Sequence, residues 1–106
     1  MPVRATKDLT DLQIRKAKAT VKQYEIFDRS VGGFALRVSP SGLKNFVINV
    51  RVNKKSTRII IGNAAVMSLA DARAEAVKIK NQVKAGIDPR EELRREKEER
   101  QIAEET

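Results

Sequence analysis

The sequence predicts an α+β domain, with a short N-terminal helix, a three-stranded antiparallel sheet with a candidate extra edge strand, and one long C-terminal helix covering the sheet. Three observations predict it. Residues 34–61 alternate apolar and polar side chains in runs separated by turn residues, the period-2 pattern of strands with one buried face. Residues 69–83 repeat apolar side chains at spacings of 3 and 4, the stripe of an amphipathic helix. Between and around these runs stand the residue types that cap helices and close turns.

In "LTDLQIRKAK", Thr10 can cap a helix with Gln13 three residues on, a capping box, and Leu9 and Ile14 are placed for a hydrophobic staple. A helix over about Asp11–Lys18 follows, offering Leu12 or Ile14 to the core. It is too short to serve as a recognition helix through Arg15, Lys16 and Lys18. "QYEIFD" gives the candidate edge strand, Gln23–Asp28, with Tyr24 read as a packing residue. After the break at "SVGG", "FALRV" directs Phe34, Leu36 and Val38 one way and Ala35 and Arg37 the other.

"NFVINVRVNKKSTRIIIG" reads as a β-hairpin. Its core set is Phe46, Ile48, Val50 and Val52, answered by Ile59 and Ile61. A two-residue turn at Asn53-Lys54 or a four-residue loop keeps these residues on one face. A three-residue loop would set Val50 against Arg58 and mix core with solvent. Lys54 is not the glycine that a type I′ turn favours, so two and four both stay open.

In "SLADARAEAVKIKNQVKAGIDP", Ser68 caps, and Leu69, Ala72, Ala76, Ile79 and Val83 make the stripe, with Arg73, Lys80 and Lys84 off it. Gly86 suits the C′ position, and Pro89 follows the helix end. Residues 1–89 form the domain. Residues 90–106 have only Leu93, Ile102 and Ala103 as apolar side chains. Opposite charges at helical spacing, such as Glu91 with Arg95 and Glu96 with Arg100, predict a solvated, helical connector.

Composition narrows the function. The formal charge is +8, and residues 1–89 hold 17 Lys and Arg against 7 Asp and Glu. A compact basic domain points to a polyanion, most often nucleic acid. With no cysteine and no histidine, the chain lacks thiolate ligands and the commonest general base, and its acids form no close pair. No catalytic residue, metal site, cofactor or small-molecule substrate is expected. The absence of a long apolar run predicts a soluble, cytoplasmic protein without a membrane partner.

The sheet face away from the long helix then carries Arg37, Asn49, Arg51, Ser56 and Arg58, bordered by Lys44, Lys54 and Lys55, with very little acid. Arginine can fork onto guanine and asparagine onto adenine in a DNA major groove, which admits a β-ribbon. The lysines would meet phosphates. Stacking aromatics are missing from this face, so double-stranded DNA is expected in preference to RNA. An alternative from another class is a protein-interaction module that offers the same basic face to an acidic partner.

"LTDLQIRKAK", "FDRSVGGFALRVSPSGLKNFVINVRV" and "IIIGNAAVMSLADARAEAVKIKNQVKAGIDP", in that order, resemble the N-terminal domain of phage-type and genomic-island tyrosine recombinases, the P4-like integrases with an arm-binding domain. The resemblance spans residues 8–89. It implies a three-stranded sheet that binds arm-type DNA sites, with Asn49 and Arg51 at the exposed basic positions of the middle strand. The family usually has arginine at both, tryptophan at Phe46, and an aromatic-proline pair at Ala64 and Ala65. It also implies a cytoplasmic, nucleoid-associated role in a bacterial host, with other integrase protomers or a directionality factor as further partners. Catalysis in that family belongs to a separate domain with a tyrosine nucleophile. The chain is therefore expected to be the first domain of a longer integrase, ending within a linker.

Overall fold

The structure is a computed structural model and describes residues 7–105. In chain order it forms α1 (Asp11–Lys16), β1 (Tyr24–Phe27), β2 (Phe34–Val38), β3 (Lys44–Val52), β4 (Lys55–Asn63), α2 (Leu69–Lys84) and α3 (Pro89–Glu105). The strands make one antiparallel sheet in the order β1-β2-β3-β4, so the expected edge strand is a full fourth member.

Local chemistry explains each helix end. Thr10 and Gln13 close both halves of the capping box on α1. The helix stops at Lys16 rather than Lys18, and Ile14 is buried while Leu12 is exposed. The Lys44 ammonium ends it by donating to the carbonyls of Ile14 (2.7 Å) and Arg15 (3.4 Å), which have no partner within the helix. Ser68 Oγ accepts from Asp71 N–H at the start of α2. At its end Gly86 takes φ 82°, and the N–H groups of Gly86 and Ile87 reach back to Val83 and Gln82, a Schellman closure. Asp88 then accepts from Arg90 N–H, and buried Pro89 occupies the first position of α3. The segment expected as a solvated connector thus forms a helix that begins within a turn of α2. The side chains of Leu93, Arg100, Ile102 and Ala103 lie outside the described ones.

The core is one cluster. Phe34, Leu36, Val38, Phe46, Ile48 and Ile59 of the sheet meet Leu69, Ala72, Ala76 and Ile79 of α2, and Leu9, Ile14 and Val31 complete the cluster. Alanine at 72 and 76 puts only a methyl group between helix and sheet at those positions. Phe34 and Phe46 stack with centroids 5.7 Å apart.

A buried ion pair ties Leu9, the β1–β2 loop and α2 together. Asp28 accepts from Leu9 N–H (2.8 Å), Ser30 Oγ (2.6 Å) and both Nε and Nη2 of Arg73 (3.1 Å each), while Arg73 Nη2 also donates to the Leu9 carbonyl (2.6 Å). Burial pushes the Asp28 carboxyl up, but the bonds from Arg73, Ser30 and Leu9 outweigh it and hold the pKa at about 2. Arg73, off the apolar stripe in the sequence, is the residue by which α2 grips the loop between β1 and β2.

β3 and β4 run nine residues each, against four and five in β1 and β2. The last β2 partner of β3 is Ile48, so residues 49–58 project past the sheet as a two-stranded arm. Val52 pairs with Lys55, which settles the turn as two residues. Asn53 and Lys54 both have positive φ, 52° and 68°, the type I′ geometry that matches strand twist. At the base the register shifts between Phe46 and Val47. Phe46 faces Gly62 and Val47 faces Ile60, which leaves Ile61 as an extra, bulged residue packed on the core. The arm's root is held by Gly33, at φ 84°, whose carbonyl accepts from Asn49 N–H (2.9 Å). A Cβ there would stand 2.5 Å from the Asn49 carbonyl oxygen, so glycine alone fits.

Candidate nucleic-acid interface

Strand parity and the type I′ turn direct Asn49, Arg51, Ser56 and Arg58 to the sheet face opposite α2. Asn49 pairs with Arg58, and Arg51 with Ser56. All four are exposed. Ser56 Oγ donates to Asn49 Oδ1 (2.9 Å), which fixes the carboxamide and leaves its NH2 free to donate outward. Arg51 makes no ion pair among the described residues. Lys54 stands in the turn. Lys55, opposite Val52, belongs by parity to the α2 side but lies exposed at the arm's tip.

Two expected members are placed differently. Lys44 shares parity with Phe46 and Ile48, so it faces the α2 side, where the α1 carbonyls hold it. Arg37 is on the expected face, but below the arm and beside an acid that the sequence reading did not put there.

That acid is Glu25. Its pairing with Arg37 brings it onto the arginine face. Glu25 Oε1 lies 3.1 Å from Arg58 Nη2, and Oε2 lies 3.6 Å from Arg37 Nε. The face expected to hold very little acid thus holds one carboxylate, which β1 brings in beside two of its three arginines. Arg58 reaches diagonally from β4 to β1, and Ala35 and Val47, which lie between them on this face, are fully buried. The face thus divides into an acid-paired set, Arg37 and Arg58 around Glu25 with Arg58 at the arm's root, and an open set of Asn49, Arg51 and Ser56.

Further cations lie beside the arm. Lys80 and Lys84 of α2 line a groove with Gly32, Gly33, Val50 and Arg51. Their position off the apolar stripe was the only signal for them in the sequence. Among the described residues no group of acids is placed to hold a metal ion, and no helix is long and apolar enough to cross a membrane.

An arm DNA-binding domain family model matches residues 9–96. The chain belongs to the arm DNA-binding domain family. It is 32% identical over 81 residues to the integrase of Shigella phage Sf6, covering 76% of this chain and 20% of that protein. It is 32% identical over 89 residues to prophage integrase IntZ of Escherichia coli K12, covering 84% of this chain and 22% of that protein. With prophage integrase IntF of the same strain it shares 39% identity over 69 residues, or 65% of this chain and 15% of that protein. The chain spans about a fifth or less of the length of these curated relatives. The family match extends past residue 89 into the first turns of α3.

Proposed function

We propose that this arm DNA-binding domain lays its β3–β4 arm in the major groove of arm-type sites on double-stranded DNA, and thereby helps an integrase assemble for site-specific recombination. The observation that carries this reading is the exposed, unpaired Arg51 beside the oriented Asn49–Ser56 pair, on an arm that outruns its sheet. A two-stranded ribbon is narrow enough for a groove about 12 Å wide. Arg51 and Asn49 supply the fork and the amide that read guanine and adenine edges, while Ser56 bonds Asn49 and fixes its orientation. Arg58 joins the readers from the arm's root, with Arg37 behind it. Lys54 and Lys55 at the tip neutralise phosphates. Lys44 acts as the cap of α1. The domain binds and does no chemistry; strand cleavage belongs to another part of the integrase.

Selection of bound duplexes from a random pool by the 106-residue chain, at near-physiological salt, tests the reading. An enriched motif is expected. With that motif in hand, Arg51→Ala should cost about 1–3 kcal/mol and relax discrimination at one position. Lys54→Ala or Lys55→Ala should weaken all duplexes alike and make the salt slope shallower by about 1. Equal effects from both kinds of substitution would overturn the division into readers and anchors. Failure to retain any duplex would overturn DNA binding and favour a protein partner, such as another protomer or a directionality factor, on the same basic face.

A further inference from the structure

We infer that Glu25 is a positioning residue for DNA recognition: it holds Arg58 so that one edge of the guanidinium is offered to a base, and it suppresses binding to non-cognate sequence. The inference rests on the DNA-binding reading above.

The geometry is specific. Glu25 comes from the strand farthest from Arg58, yet its Oε1 meets Arg58 Nη2 at 3.1 Å. The Glu25 side chain is only 14% exposed and Arg37 22%, whereas Arg58 is 38% exposed. The carboxylate is therefore sheltered and only the outer arginine is presented. A guanidinium carries five N–H donors in a planar fork. With Nη2 drawn inward by the Glu25 charge, the guanidinium is tethered at that end and its other donors stay available for bidentate reading of a base edge.

The pairing is also incomplete. Glu25 Oε2 and Arg37 Nε are both buried without a hydrogen-bond partner, 3.6 Å apart. A pair serving only the fold would close that gap, since each unmet group costs free energy. Left open, the cluster holds two arginines with one shared acid. A phosphate at an arbitrary sequence must compete with Glu25 for Arg58. A base edge engages the donors that Glu25 does not use. Selectivity therefore comes from an intramolecular competitor, which is a repulsive element against the wrong partner.

The test is Glu25→Gln in the 106-residue chain, titrated by fluorescence anisotropy against the selected duplex and a scrambled one at several salt concentrations, with thermal unfolding measured alongside. Binding to the scrambled duplex should tighten about fivefold at near-physiological salt, with a slope steeper by about 1, because one more cation becomes free for phosphate. The selected duplex should gain less, and discrimination at the position lost in Arg58→Ala should flatten. Glu25→Gln with Arg58→Ala should show no more loss there than Arg58→Ala alone, while the position read by Arg51 stays unchanged. Unchanged slope and unchanged discrimination in a Glu25→Gln protein that unfolds like the wild type would overturn the inference alone. If that variant does not fold, Glu25→Asp retains the charge but shortens the reach. It should lower discrimination at the Arg58 position without altering the slope, and unchanged discrimination would again overturn the inference. A wild type that retains no duplex overturns both readings together.

Discussion

Two acid–arginine clusters sit at opposite ends of β1, and they differ in how completely their groups are used. At Asp28 the carboxylate is fully buried and accepts four hydrogen bonds from Leu9, Ser30 and Arg73. At Glu25 the carboxylate touches two arginines, yet an oxygen and a guanidinium nitrogen are left without partners. The first cluster is complete in itself and joins the segment before α1, the β1–β2 loop and α2. The second is incomplete and lies beside the exposed arm. Similar side chains thus serve the fold where every donor and acceptor is used within the molecule, and suit an external partner where some are left over.

The comparison is broken most sharply at Asp28. Asp28→Ala leaves Arg73 without its acid, and removal of one partner from a buried pair costs about 3–5 kcal/mol. Because the Arg73 side chain is 30% exposed and can turn toward water, a loss near the lower end, about 3 kcal/mol, is expected in urea unfolding. Acid sharpens the same contrast. The Asp28 carboxyl sits at about 2 in the folded chain against an ordinary 3.8, so its contribution is fully present above the ordinary value. It is lost as pH falls through about 2, a decline of about 2 kcal/mol that Asp28→Asn should abolish. Glu25→Gln should cost less, about 1–2 kcal/mol, since the amide fills the same space and Arg58, 38% exposed, can turn toward water. The smallest effect belongs to the arm's tip. Lys54→Gly relieves a left-handed backbone conformation but frees the unfolded chain, for a net gain below about 1 kcal/mol in thermal unfolding.

What the sequence makes legible is what is decided locally. The capping box at Thr10 and Gln13, the α2 stripe and the Schellman closure at Gly86 each depend on residues within a turn or two, and all three are present. Hairpin parity was readable because a one-residue slip would expose the core. The turn length was not, because Lys54 lacks the glycine signal and adopts positive φ nonetheless. Glu25 could not be assigned a face from a four-residue strand without strong alternation, whose register depends on pairing with β2. Asp28 and Arg73 lie 45 residues apart, and nothing near either one marks the other. For Lys44 parity was available, but its acceptors at Ile14 and Arg15 were 30 and 29 residues away.

The bulge at Ile61 has an evolutionary consequence. Residues between the bulge and the turn take their phase from Asn53-Lys54, whereas those below it take theirs from β2 and the core. Insertions or deletions at the tip that add or remove two residues per strand would change the arm's reach by about 7 Å while the base stays in register. A lineage carrying this domain can therefore lengthen its arm, or exchange the residues displayed on it, as a graft on an unchanged domain. The residues that the arm displays can then drift without refolding of the domain that carries it.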